Sequence, residues 1–136
     1  MLFFVISVKN VGMNFSPSQG ILCELASLIK KIIPDQNPEV YFEFSRAKRF
    51  IVKPDEDLVC PTEALSVEIY PQGGMINKGM INPDIVELAK AINTLVVALV
   101  VVSDTEIDKN SPIRTSISIC PEMNFKFSDH TLVKSF

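Results

Sequence analysis

Positions 2–8, LFFVISV, are apolar and β-branched almost without interruption. That is the pattern of a strand buried on both faces. Ser16 then offers an N-cap, Pro17 suits a first helical position and Gln19 completes a capping box. Ile21, Leu22, Leu25, Leu28, Ile29 and Ile32 follow at helical spacing, so a helix is predicted over about 17–33 with Pro34 as its stop. Val40, Phe42 and Phe44 alternate with Tyr41, Glu43 and Ser45, which predicts a strand over 39–45 with one wet face. Residues 46–48 read as a hairpin turn and 50–52 as a second short strand. Leu65, Val67 and Ile69 alternate with Ser66, Glu68 and Tyr70, another strand. Asn82, Pro83 and Asp84 form a helix start. Ile85, Val86, Leu88, Ala89 and Ile92 continue at helical spacing, and Asn93 is expected to end that helix. LVVALVVV at 95–102 is expected to be a central strand because it is so rich in β-branched residues. Residues 114–120 form a last clear strand with Ile117 and Ile119 inward, and 125–127 an edge strand in the tail.

The predicted order is β-α-β-β-β-α-β-β. Helices set among runs of strands indicate an α+β fold: a mixed or antiparallel sheet of five to six strands with two helices on one face. The first and fifth strands, the most apolar, are expected at the sheet centre. In pattern the order resembles a ferredoxin-like or related split β-α-β layout.

The 136 residues suit a single domain, 1–136. A hydrophobic share of 47% against 21% charged residues predicts a well-filled core and an apolar surface for a partner. The net charge is −3, and residues 35–70 carry eight acids against four bases. Nucleic-acid binding is not expected, because no basic face accompanies this balance. Cys23, Cys60 and Cys120 are odd in number and lack any CxxC spacing, so they read as reduced, buried thiols. The N-terminus lacks a basic segment and a full apolar stretch. The longest uninterrupted apolar run, 95–102, is far short of the about 20 residues of a membrane span. A cytoplasmic protein without membrane contact is the expectation.

Residues 73–84, GGMINKGMINPD, repeat GMIN, and Gly74 and Gly79 reproduce the glycine frame of a phosphate-binding loop. The Lys and Ser/Thr that would follow the second glycine are replaced by Met80 and Ile81, so the chemistry of that loop is missing. What remains is a methionine-bearing contact loop, with Met75 and Met80 as candidate partner contacts. His130 stands alone, and neighbouring Ser128 and Asp129 cannot form a triad with it by sequence adjacency. Asp104, Glu106 and Asp108 alternate as in the first half of a calcium loop, but Lys109 and Thr115 occupy the positions that need Gly and Glu. Together with Asp55, Glu56 and Asp57 they are read instead as acidic loops able to steer a basic partner. Arg46, Lys48, Arg49 and Lys53 read as a charged hairpin edge. No cofactor and no metal is expected.

IVELAKAINTLVVALVVVSDTEI, residues 85–107, resembles the helix, buried strand and acidic turn of small bacterial α+β immunity proteins of contact-dependent or polymorphic toxin systems. The resemblance implies a non-enzymatic cytosolic protein that neutralises a toxin domain by tight binding, acidic groups against a basic surface. Two other readings stand beside it. One is a small enzyme or anion-binding protein using the loop 73–82, with Lys78 as anion ligand. The other is a self-associating subunit, such as a homodimer, joined through a sheet edge or an apolar surface.

Overall fold

The computed structural model describes residues 1–11, 15–45, 49–50, 61–62, 65–103 and 112–135. Strand β1, Phe3–Lys9, is buried over its five central residues. The cause is its position: β2 (Glu39–Ser45) pairs with it in parallel on one side and β5 (Ser66–Gln72) antiparallel on the other. β6 (Arg114–Cys120) joins β5 in parallel, and β7 (Met123–Ser128) and β8 (Thr131–Ser135) complete an antiparallel meander. The result is a six-stranded mixed sheet in the order β2-β1-β5-β6-β7-β8. β3 (Arg49–Phe50) and β4 (Pro61–Thr62) form a separate two-stranded ribbon.

Helices α1 (Gln19–Lys30) and α2 (Ile85–Ser103) complete the fold. Leu25 and Ile29 of α1, with Ala89, Ile92, Val96, Leu99 and Val100 of α2, share one core with Phe4, Ile6, Val8, Val67, Ile69, Ile117, Phe125 and Phe127. Both helices therefore cover the same sheet face. Each fully buried aliphatic or aromatic side chain contributes about 1.5–3 kcal/mol, so this face holds the fold together. The α+β class, the two helices on one face and an element order close to the predicted one are what the structure contains.

Three local expectations are corrected. Residues 95–102 are not a strand: they form the second half of α2, and Asn93 lies buried inside that helix. Ile85, Ala89, Ile92, Val96, Leu99 and Ser103 are all buried, at spacings of three and four, so one helical face serves the core along the whole element. β5 and β6, rather than a strand at 95–102, thus form the middle of the sheet, with β1 next to β5. Finally, α1 begins at Gln19 rather than Pro17 and has no side-chain cap. The C-terminus of α2 supplies the partners instead: Ser103 O accepts from Ser16 N at 3.0 Å and Ser103 Oγ from Ser18 N at 3.2 Å. The positive end of one helix and the negative end of the other meet there, which is the favourable sense.

The strand over 39–45 and the strand over 114–120 have the predicted bounds. The predicted turn at 46–48 and residues 51–52 lie outside the described residues. The tail forms two strands, β7 and β8, where one was expected.

Candidate functional site

The sheet face turned away from the helices presents polar side chains from neighbouring strands. Strand alternation builds it. Tyr41, Glu43, Ser66, Glu68, Tyr70, Arg114, Ser116 and Lys126 are all exposed or half-buried. Register sets them in rows: Glu43, Ser7, Glu68, Ser116, Lys126 and Lys134 align across six strands. Val5 lies between Tyr41 and Tyr70 in the next row, which explains why it is buried on a face without a helix. Lys9 Nζ reaches Glu68 Oε2 at 3.3 Å, a half-exposed pair. Arg114 and Lys126 line a groove of about 480 Å³ with Ser66, Glu68, Ser116 and Val133.

On the same face Tyr41 OH donates to Glu39 Oε2 at 2.6 Å, and its ring meets that of Phe3 edge-on at 5.1 Å. The bond to Glu39 and the carboxylate's charge push the phenol pKa upward, since phenolate would lose the first and be repelled by the second. Alternation along each strand predicts this face but not its charged row, because register between distant strands decides which residues align.

The loop at 73–82 turns out to be fixed at both ends. Gly73 has φ +81°, and a Cβ there would collide with the Met1 carbonyl oxygen. Gly74 and Gly79, the frame of the supposed phosphate loop, have ordinary or open space around them. Asn82 N donates to Ile32 O at 2.8 Å, and Asn82 Nδ2 to Lys31 O at 3.1 Å, tying the loop to the end of α1. Asn82 Oδ1 accepts from Asp84 N at 2.9 Å, so a side chain already occupies the start of α2 where an anion would bind. Of the two candidate contact methionines, Met75 is 85% exposed, whereas Met80 is half-buried and packs on the core beside Ile81. Ile76 between them is buried.

Asp55, Glu56, Asp57, Asp104, Glu106 and Asp108 lie outside the described residues. The strands and the helix that their segments connect are described. Ser45 O accepts from Val11 N at 3.0 Å, Leu65 O from Arg114 N at 3.1 Å, and the rings of Phe44 and Phe15 meet at 4.9 Å. Ser16 in turn bonds Ser103. Residues 46–64, which include the β3–β4 ribbon, and residues 104–111 therefore each connect elements whose near ends lie at one end of the six-stranded sheet.

His130 is exposed in the turn between β7 and β8. Cys23 is exposed and Cys120 half-buried, against the expectation of buried thiols; Cys60 lies outside the described residues. Among the described residues no three His, Cys, Asp or Glu side chains cluster as metal ligands. α2 is long and apolar enough to cross a membrane by length and composition alone, with mean hydropathy 2.2 over an 18-residue window, but it packs on the sheet with nine buried residues.

The fold and this surface define an α+β protein with one helix-covered and one open sheet face. No protein family, curated protein or solved structure matches the chain.

Proposed function

We propose that the protein is a non-enzymatic cytosolic binding protein of the immunity type, which neutralises a basic toxin domain by covering it. The observation that carries this reading is the shared attachment of the two acid-bearing segments. These segments, 46–64 and 104–111, join elements at the same end of one sheet, Ser45 to Leu65 and Ser103 to Ile113, which supports reading the acids at 55–57 and 104–108 as one charged region. Clustered like charges raise the association rate with an oppositely charged partner and choose among partners. Met75, exposed on the loop after β5, adds an adaptable apolar contact.

The test is binding to the toxin domain encoded beside this chain's own reading frame. Reversing all six acids to Lys is expected to weaken binding by about a hundredfold or more, the scale of losing several close charge pairs. Rising salt should slow association of the unaltered protein. Binding that survives the reversal would overturn the reading.

A further inference from the structure

We propose that β2 is a docking edge for a second copy of this chain, which adds its own β2 antiparallel and joins two six-stranded sheets into one. Among the described residues nothing pairs with the outer side of β2. Exposed edges invite strand addition, and proteins usually blunt them with bulges, lysines, prolines or shortness. The opposite edge is blunted in that way. β8 has five residues, carries Lys134 and is bulged against β7. β2 has no bulge, lysine or proline and is not short: it runs seven residues, EVYFEFS, in unbroken register with β1, and its two charges, Glu39 and Glu43, both stand on the open face.

The backbone phase of β2 is fixed by Ser45, whose carbonyl accepts from Val11 on the β1 side. Alternation then turns the amides and carbonyls of Val40, Phe42 and Phe44 to the outer edge. A twofold axis at Phe42 sets Phe42 opposite Phe42, Val40 opposite Phe44, Tyr41 opposite Glu43 and Glu39 opposite Ser45. The helix-side row becomes apolar from one copy to the other. Val40, Phe42 and Phe44 are only half-buried in the single chain, so this pairing gives their exposed parts a cover. On the open face the polar residues meet without a carboxylate directly opposite a carboxylate. Shifting the axis to Tyr41 would set Glu39 against Glu43, and shifting it to Glu43 would set that residue against itself. Like charges directly opposite are unfavourable, so charge selects the Phe42 register from its neighbours. Such an interface is isologous, the ordinary form of a homodimer.

Sedimentation equilibrium of the full chain tests this. The unaltered protein is expected to reach twice the 15.1 kDa of one chain as concentration rises from micromolar to sub-millimolar. Tyr41→Glu places a second carboxylate opposite Glu43 twice per dimer and should weaken dimerisation by about tenfold. Adding Glu43→Lys turns each clash into an ion pair and should restore the original constant to within about threefold. Circular dichroism checks that each variant is folded. Should Tyr41→Glu not fold, Ser45→Glu, opposite Glu39, with Glu39→Lys as its rescue, makes the same measurement at the strand end. A monomer throughout, a constant unmoved by the like-charge substitution, or a folded double variant that fails to recover overturns the proposal. The outcome is independent of the toxin-binding test, because neither reversed acidic segment lies in β2.

Discussion

Among the described glycines, Gly73 has the least freedom to change. Its φ of +81° already disfavours any side chain, and the Met1 carbonyl oxygen stands where a Cβ would go. Gly73→Ala is therefore expected to lower stability by about 2 kcal/mol or more, read as a fall in thermal midpoint. Gly79→Ala meets nothing within 4 Å and carries no positive φ, so it should leave the midpoint nearly unchanged. The contrast separates a conformational glycine from one that merely completes a motif. In the sequence both look alike, and the spacing of Gly74 and Gly79 draws attention to the wrong pair. Asn82 was readable as a cap because its partner, Asp84, is two residues away. Asn93 was not. It resembles a helix end, yet its Nδ2 donates to Asp129 O at 2.6 Å, a contact 36 residues distant that fastens the β7–β8 turn. Asp129 itself has φ +50° and bonds Ile113 through both its Oδ1 and its backbone N.

At the scale of elements, α2 shows how burial overrides propensity. Five valines between positions 96 and 102 favour a strand in isolation. The helix penalty for such a residue is only about half a kcal/mol, and a buried valine returns at least about 1.5 kcal/mol. Burial at Val96, Val97 and Val100 therefore decides the matter. The helical spacing of apolar positions in fact persists from Ile85 to Ser103, and that continuity was the available signal. Val101 is 59% exposed, so it gains little from burial. Val101→Ala should raise stability by about 0.5 kcal/mol in a helix, where alanine is the better former. In a strand the same change would lower it. A thermal or urea midpoint distinguishes the two. Strands with local alternation, 39–45 and 114–120, were legible to the residue because a single wet face writes itself into every second position. The start of α1 was not, because its partner is Ser103 at the far end of the other helix.

For the whole molecule, the number of helices, the class of fold and the sharing of one face by both helices follow from periodicity. The strand order does not. β1 meets β5 across about sixty residues of sequence, and no local pattern records which strands will adjoin. The charged row of Glu43, Glu68 and Lys126 was hidden for the same reason, while the acidic clusters at 55–57 and 104–108 were visible as contiguous letters. Stability should be distributed accordingly. Backbone amides of β1, β5 and β6, enclosed on both sides, are expected to exchange with solvent most slowly, and those of β8 several orders of magnitude faster. Hydrogen exchange followed by mass spectrometry resolves the two groups, and equal protection would contradict this order. The place of β1, paired on both sides, also has a consequence during synthesis. It leaves the ribosome before its partner β5, which follows only after about sixty more residues. For that interval a seven-residue, strongly apolar strand waits with at least one side unpaired, whereas β6, β7 and β8 can close as soon as each is made. The nascent chain is thus vulnerable at β1, and slowing translation between β2 and β5 would lengthen the time in which aggregation can compete with folding.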